Sequence, residues 1–260
     1  MMRALILAAG RGSRLGYLGS DRPKCLVELQ GMPLIEHQIA ALRRGGVDEI
    51  GVVRGYHAEM IEFPGLSYFL NERWEETNMV MSLAAGAPWL RSGTVIVSYA
   101  DIFYRSELVR GLAGATGQLV ISYDRAWHRL WSRRFADPLT DAETFRIDAA
   151  GQLLEIGGKT TRIEDIEGQY MGLLKFTPPA WNVVASLLSA LEAPIRDRLD
   201  VTGLLRRLLS GTDLPISTFG TDGHWGEIDI PEDVALYRNL IAEGEIVLEN
   251  KQTGSETTAG

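Results

Sequence analysis

Residues 4–24 read ALILAAGRGSRLGYLGSDRPK and contain the features that decide the fold. The apolar run from Ala4 to Ala9 is short and ends at a glycine, which predicts a buried strand. The glycines that follow allow the backbone to approach a phosphate closely and to turn amide N–H groups towards it. Arg11 and Arg14 add positive charge suited to phosphate oxygens. The stretch predicts a strand followed by a phosphate-binding loop, although a plain strand-exit turn with solvated arginines fits the loop taken alone.

Three kinds of nucleotide-binding loop compete for this stretch. A Walker A loop requires Gly-Lys-Ser or Gly-Lys-Thr, which does not follow here. A dinucleotide-binding turn must open a helix at once, whereas Gly16, Asp21 and Pro23 interrupt any helix. The third kind stays extended, wraps a triphosphate and needs a lysine soon after it, and Lys24 supplies one.

The composition is that of a globular chain with an acidic balance. The 260 residues include 26 Lys and Arg against 34 Asp and Glu, a formal charge of -8, and 45% are hydrophobic. An acidic chain argues against a nucleic-acid partner, because such proteins usually show a basic face. No apolar run approaches the roughly 18 residues of a membrane span, and the single cysteine, Cys25, excludes a disulfide framework. We expect a cytoplasmic protein without a membrane or nucleic-acid partner, and a homo-oligomer stays open.

Positive charge is nevertheless concentrated in two places. From Met1 to Lys24 the chain has five basic residues against one acid, a local charge of +4. A second basic cluster contains Arg125, Arg129, Arg133 and Arg134. This distribution is what a small anionic ligand requires.

The alternation of strand and helix patterns favours an α/β fold, with a Rossmann-like, mostly parallel and doubly wound sheet. Residues 1–250 are expected to form a single domain, and residues 251–260 a disordered tail. Residues 125–168 show short strand patterns without long helices, which predicts an inserted, small β-rich lid region. One helix is expected over residues 79–90 and a late strand over residues 225–230.

Carboxylates at two places in the sequence, Asp101 and Asp229, are candidates for a metal site. Asp101 follows a buried strand, at the sheet edge where the ligands of open α/β sheets collect. Glu227 and Asp229 alternate along the late strand and therefore share one face. A nucleoside triphosphate is normally bound with a divalent cation on hard oxygen ligands, so Mg²⁺ is the expected cofactor. Either aspartate could instead cap the helix that follows it.

The combination Ala-Ala-Gly-x-Gly-Ser-Arg over residues 8–14, with Pro23-Lys24 soon after, resembles the nucleotidyltransferase superfamily of sugar-nucleotide pyrophosphorylases and cytidylyltransferases. The resemblance extends through most of the chain. It implies that Lys24 and Arg14 are catalytic and that Asp101 and Asp229 hold Mg²⁺. It also implies a nucleotide site made of Leu7, Ala8, Ala9, Gly10, Arg11, Gly12, Ser13, Asn78, Ser82 and Ala100.

The stretch from Thr77 to Ser82 is the clue to the base. It resembles the Thr-Asn-x-x-x-Ser segment of phosphocholine and phosphonate cytidylyltransferases, which implies that Asn78 and Ser82 lie near a pyrimidine. A plain helix capped by Thr77 or Asn78 is the alternative. The Trp-x-Asp-x-Gly-Thr signature of the sugar-nucleotide branch is replaced by Trp-Gly-Glu-Ile-Asp-Ile over residues 225–230. CTP is therefore favoured over UTP, dTTP or GTP.

The acceptor pocket is expected to use the inserted region. Aromatic residues there could cage a quaternary ammonium through cation–π contacts, whereas the neighbouring arginines favour an anionic acceptor. Tryptophans are also common core residues. The resemblance to the family's acceptor-side strand implies contacts from Gln169 and Tyr170, and Glu227 is assigned to acceptor binding or to support of the metal ligands. The full set of acceptor candidates is Tyr99, Trp131, Arg129, Arg133, Gln169, Tyr170 and Glu227.

These expectations combine into a Mg²⁺-dependent cytidylyltransferase that transfers CMP from CTP to a small phosphate or phosphonate and releases pyrophosphate. A sugar-1-phosphate nucleotidyltransferase would share the loop and the metal site but prefer another base. A nucleotide-binding sensor without catalytic activity would bind CTP and release no pyrophosphate.

Overall fold

The computed structural model describes residues 1–18 and 21–249 of the chain. The tail predicted for residues 251–260 lies outside the described residues. Within the described part, no helix combines the length and the apolar character needed to cross a bilayer.

Strands and helices alternate along most of the chain. The strands are β1 (Arg3–Ala8), β2 (Glu28–Leu29), β3 (Met32–Pro33), β4 (Glu49–Arg54), β5 (Ser67–Leu70), β6 (Val95–Tyr99), β7 (Ile102–Tyr104), β8 (Leu119–Asp124), β9 (Phe145–Ile147), β10 (Leu153–Ile156), β11 (Gln169–Phe176), β12 (Ile216–Thr221) and β13 (Trp225–Glu227). The α-helices are α1 (Leu34–Arg44), α2 (Met79–Ala85), α3 (Ala87–Ser92), α4 (Ser106–Gly114), α5 (Trp127–Arg134), α6 (Pro178–Ala190), α7 (Ala193–Asp197), α8 (Val201–Gly211) and α9 (Pro231–Ala242).

Seven strands form the central sheet in the order β12-β8-β11-β6-β1-β4-β5. Strand β1 pairs in parallel with both β4 and β6, and β11 is antiparallel to its two neighbours. The predicted mostly parallel α/β sheet is thus confirmed. Because Leu7 pairs with Tyr99, the glycine loop after β1 and the turn after β6 leave the sheet at the same edge.

The two faces of the sheet carry separate hydrophobic clusters, as the two-residue period of a strand requires. In β1, Ala4, Ile6 and Ala8 belong to the first cluster, together with side chains of α1, α4, α5 and α9. The intervening residues Leu5 and Leu7 belong to the second cluster, together with side chains of α2, α3, α6 and α8. Helices therefore cover both faces, which explains why β1 is buried throughout its second half.

The inserted segment, residues 125–168, lies between β8 and β11 and contains more helix than its sequence predicted. Its first half forms α5, whose side chains at positions 127, 130 and 131 are buried with helical spacing. Its second half forms the antiparallel pair β9–β10. The expectation of a β-rich segment without a long helix therefore missed α5, because eight residues give only about two turns of periodicity.

Two predicted elements end earlier than expected. The helix expected over residues 79–90 breaks at Gly86, where the backbone contacts Leu5 of β1 so closely that a Cβ atom would clash. The late strand ends at Glu227 and pairs only with β7, outside the central sheet. The amide of Ile228 then bonds the Asp101 carbonyl oxygen at 2.9 Å, which brings the late carboxylates next to the β6 turn.

Candidate active site

A cavity of about 280 Å³ lies at the sheet edge where β1 and β6 end. The glycine loop, the first turn of α2 and the turn from Tyr99 to Asp101 form its walls. Of the predicted nucleotide-binding residues, all but Arg11 line this cavity, and so do Arg14 and Lys24. Four further lining residues were not among the predicted nucleotide-binding residues, namely Cys25, Trp74, Thr77 and Met79.

Glycine at position 12 allows the loop to lie against Lys24. Its φ of +68° falls in the left-handed region, and a Cβ atom there would lie 2.8 Å from Cβ of Lys24. Position 12 therefore requires glycine for two reasons, its left-handed backbone conformation and the lack of space for a side chain beside Lys24. This close approach places the start of the lysine side chain directly beside the loop.

Lys24 connects the loop to the carboxylates. Its ammonium group lies 2.7 Å from Oδ2 of Asp101 and also contacts Oδ1 of Asp229. Arg14 reaches the same Asp229 oxygen, with Nη2 at 3.1 Å. Burial alone would lower the pKa of Lys24, but the neighbouring carboxylates outweigh it and raise the pKa above its ordinary value. Lys24 is therefore a permanent cation at the floor of the site.

Asp101, Glu227 and Asp229 form one cluster, with a carboxylate oxygen of each within 4.8 Å of the others. Burial, followed by the charges of Asp229 and Asp101, raises the pKa of Glu227. Burial would also raise the pKa of Asp229, but the ammonium group of Lys24 lowers it. Oδ1 of Asp101 is buried and has no hydrogen-bond partner. Three hard oxygen donors with one of them unsatisfied fit a cation such as Mg²⁺, and Glu227 belongs to this donor set.

Gln38 of α1 fixes the turn that carries Asp101. Its fully buried side chain donates from Nε2 to the carbonyl oxygens of Tyr99 and Ile102, each at 2.6 Å. These two carbonyl groups bracket Asp101. The only hint in the sequence is a polar residue on the apolar face of a predicted helix, and that hint does not identify its partners.

The predicted base-reading residues lie at the start of α2. Asn78 caps this helix, since its Oδ1 accepts from the amide of Met79 at 2.7 Å while its Nδ2 donates to the carbonyl oxygen of Arg198. The hydroxyl of Ser82 accepts from Nδ2 of the buried Asn71 at 3.1 Å. Both residues line the cavity, but the Asn78 amide is already engaged by backbone. Asn78 therefore caps α2 and also lines the cavity.

Tyr99 lines the cavity and packs against β11, the strand predicted to contact the acceptor. Its ring meets that of Tyr170 edge-on, with centroids 5.9 Å apart, and burial raises the pKa of both phenols. Gly172, at φ +73°, leaves room for Tyr99, because a Cβ atom there would lie 2.5 Å from the ring. Gln169 points towards the inserted segment and donates to the carbonyl oxygen of Glu143 at 2.8 Å.

Among the described residues, Tyr99 is the one predicted acceptor residue that lines this cavity. Gln169, Tyr170 and Glu227 lie outside its lining, and the other three have partners elsewhere. Trp131 is 3% exposed in the first hydrophobic cluster, where its Nε1 donates to Asp141. Arg129 and Arg133 pair with Glu245 beyond α9, at 2.9 and 3.0 Å. The tryptophan lies on the core-facing side of α5, and the two arginines have carboxylate partners in the C-terminal segment, so none of the three is available to the cavity.

Known proteins are similar to this chain in sequence and in fold. A family model described as the MobA-like NTP transferase domain matches residues 4–192. CTP:phosphoglutamine cytidylyltransferase of Campylobacter jejuni is 34% identical over 251 residues, which cover 90% of this chain and 98% of that protein. The 2-aminoethylphosphonate cytidylyltransferase of Lancefieldella rimae is 31% identical over 138 residues, which cover 46% of this chain and 56% of that protein.

The solved structure of CTP:phosphocholine cytidylyltransferase from Streptococcus pneumoniae has the same fold. It superposes with a TM-score of 0.70 at 20% identity, over 92% of this chain and 99% of that one.

Proposed function

The chain belongs to the MobA-like NTP transferase domain family, and we propose that it transfers CMP from CTP to a small phosphate or phosphonate acceptor. Pyrophosphate is the second product. The observation that carries the proposal is the contact of Lys24 with Asp101 and Asp229 beside the glycine-loop cavity. Anion-binding backbone, a cation and hard oxygen ligands are the groups that nucleotidyl transfer requires.

The reaction needs no general base. The acceptor oxygen is already ionised at neutral pH and attacks the α-phosphorus of CTP directly. The new P–O bond forms as the bond to the bridging oxygen breaks, and that oxygen leaves with the bonding electrons in pyrophosphate. Amides of the loop from Gly10 to Ser13 hold the phosphates, while Lys24 and Arg14 offset the charge that develops on them.

Asp101 and Asp229 are the proposed Mg²⁺ ligands, with Glu227 in the same donor set. When bound, Mg²⁺ supplies electrostatic stabilisation of the phosphate oxygens. With Asp101 and Asp229 holding the cation, the ammonium group of Lys24 would be available to offset charge on the α-phosphate.

The choice of CTP is supported by the relatives named above, which are described as cytidylyltransferases. Asn78 and Ser82 are the proposed contacts for the base, and Trp74 forms the adjacent apolar wall. For the acceptor we propose the side of the cavity near Tyr99, Tyr170 and Gln169. Trp131, Arg129 and Arg133 are left out of this pocket.

Pyrophosphate release tests the proposal. CTP, UTP, dTTP and GTP are each combined with phosphocholine, 2-aminoethylphosphonate, phosphoglutamine and glucose 1-phosphate, in the presence of Mg²⁺. We expect a signal with CTP and one of the first three acceptors, and none from the Lys24→Ala variant. A signal only with glucose 1-phosphate would instead identify a sugar-1-phosphate nucleotidyltransferase. CTP binding without pyrophosphate release from any pair would identify a sensor.

A further inference from the structure

We propose that Arg134, together with Asp233, is a positioning residue that fixes the metal-binding carboxylates from behind. The inference rests on the proposed function, since it concerns the same cluster of Asp101, Glu227 and Asp229. It assigns a task to the inserted segment, because Arg134 is the last residue of α5.

Arg134 is held rigidly. Its side chain is 1% exposed and forms a bidentate pair with Asp233, with Nε 3.0 Å from Oδ1 and Nη2 3.1 Å from Oδ2. The guanidinium group also lies 5.3 Å from the ring centroid of Trp131 and 5.1 Å from that of Phe135. A bidentate pair with aromatic packing fixes both the position and the orientation of the group.

Asp233 transmits this position to the metal-binding loop. Its Oδ2 accepts from the amide of Asp229 at 2.8 Å and from the amide of Ile230 at 3.1 Å. An acidic residue in the first turn of a helix often accepts such bonds. What distinguishes this one is that the same carboxylate, 3% exposed, is anchored to a buried arginine. The backbone of Asp229 is therefore tied to α5 through one carboxylate.

Arg134 also faces the third member of the cluster. Its Nη1 lies 3.6 Å from Oε2 of Glu227 and has no hydrogen-bond partner. The amide of Glu227 donates to the hydroxyl of Tyr237 at 3.1 Å, which fixes the strand end. The carboxylates thus have Lys24 on the cavity side and Arg134 on the buried side. Lys24 borders the glycine-loop cavity, whereas Arg134 keeps a fixed positive charge near Glu227.

The test uses the variants Arg134→Lys and Asp233→Asn. Arg134→Lys keeps the charge but loses the bidentate geometry, and Asp233→Asn keeps the shape but loses the charge. The matched controls are Arg125→Lys and Asp222→Asn, which change an exposed bidentate pair at the start of the same segment. The first readout is Mn²⁺ binding to the protein with CTP and no acceptor, followed by the electron paramagnetic resonance of free Mn²⁺. The second is the Mg²⁺ concentration that gives half-maximal turnover.

We expect Mn²⁺ affinity to fall about tenfold in both test variants, because partners that orient metal ligands typically contribute this much. Saturating Mg²⁺ should largely restore kcat, and the controls should match the wild type. Thermal unfolding is recorded for every variant, and binding is measured well below each Tm, so that lowered stability alone leaves the affinity unchanged. If Arg134→Lys does not fold, Asp233→Asn carries the test.

Unchanged Mn²⁺ affinity and Mg²⁺ dependence in a folded test variant would overturn the proposal, as would a wild-type protein that binds no Mn²⁺. The failure of the transferase proposal looks different. In that case the wild type releases no pyrophosphate, while the loss of Mn²⁺ affinity in the variants still appears.

Discussion

The ammonium group of Lys24 lies 2.7 Å from Oδ2 of Asp101, although the two residues are 77 positions apart in the chain. This contact joins the phosphate-binding loop after β1 to the carboxylate turn after β6. Both groups are mostly buried, with side chains 12% and 16% exposed. The pair places a positive ammonium group and a negative carboxylate side by side. In the proposed reaction the ammonium group contacts the triphosphate and the carboxylate binds the cation.

Replacing Lys24 by alanine should abolish most of the activity. The side chain is the proposed cation for the α-phosphate, and removal of one such electrostatic contact typically lowers kcat by about 10²–10³-fold. Steady-state pyrophosphate release measures the loss, and circular dichroism checks the fold. The control Lys159→Ala removes an exposed lysine whose ammonium group lies 3.4 Å from the Asp141 carbonyl oxygen. Near-normal turnover of Lys24→Ala would remove Lys24 from the mechanism.

Asp101→Ala and Asp229→Ala should each reduce both Mg²⁺ affinity and turnover by orders of magnitude, because each deletes a proposed ligand. Chelation with EDTA should stop the wild-type reaction, and added Mg²⁺ should restore it. Asp213→Ala, which removes an exposed aspartate, serves as the control. Activity that survives EDTA would contradict the assignment of a metal site.

Gln38→Leu should misplace the Asp101 turn without touching substrate. The variant removes the side-chain donor to the carbonyl oxygens of Tyr99 and Ile102, and each lost hydrogen bond costs about 0.5–1.5 kcal/mol. The Tyr99 oxygen keeps the Ser98 hydroxyl as a donor at 2.9 Å. We expect about a tenfold higher requirement for Mg²⁺, and a lower free energy of unfolding in urea. Gln152→Leu is the control, since Gln152 bonds Ser217 elsewhere. An unchanged Mg²⁺ requirement would reduce Gln38 to a structural residue.

The stability of the metal-free protein should fall with rising pH because of Glu227. Burial and the neighbouring carboxylates raise its pKa above the ordinary value for a glutamate, so the folded protein binds this proton more tightly than the unfolded chain does. The corresponding stabilisation is complete below about pH 4.5 and is lost as the pH rises through the raised pKa.

Glu227→Gln should therefore be more stable than the wild type at pH 8, with a smaller difference at pH 5, in urea titrations at each pH. Glu164→Gln changes an exposed carboxylate and should follow the wild type. A constant difference between Glu227→Gln and the wild type across this range would disprove the linkage.

Gly172→Ala should affect the acceptor side selectively. The left-handed φ of +73° costs an alanine about 1–2 kcal/mol, and the new Cβ atom would also displace Tyr99. Gly151→Ala is a closely matched control, because the φ of Gly151 is +76° and a Cβ atom there would lie 3.8 Å from Oγ1 of Thr218, its nearest neighbour. Both variants should lose similar backbone stability, but only Gly172→Ala should raise the acceptor KM while the CTP KM stays close to normal. Equal acceptor KM values in the two variants would argue against a role for Tyr99.

The loop and the carboxylates could be predicted because their chemistry is local. The run from Gly10 to Arg14 is informative by itself, and Asp101 follows a strand whose burial is evident from its composition. Two parallel strands that leave the sheet at one edge then bring these groups together. The contact between Lys24 and Asp229, 205 residues apart, depends on the return of the chain through β13.

The inserted segment could not be predicted equally well, because its aromatic residues have two physically reasonable uses. A tryptophan and an arginine near a ligand site suit either a binding pocket or a core with surface ion pairs. Which of the two uses applies is decided by the partners of these side chains. Trp131 donates to Asp141, Arg129 pairs with Glu245, and Arg134 pairs with Asp233. None of these pairings has a local signal in the sequence.

The segment between β8 and β11 also contributes to both hydrophobic clusters. Trp127 and Trp131 of α5 enter one cluster, while Phe145 and Leu153 of the β9–β10 pair enter the other. Its two halves therefore share the cooperativity of the whole sheet, and backbone amides in α5 and β9 should exchange hydrogen for deuterium only when the domain unfolds globally. The inserted segment is therefore expected to unfold together with the central sheet and not as a separate unit.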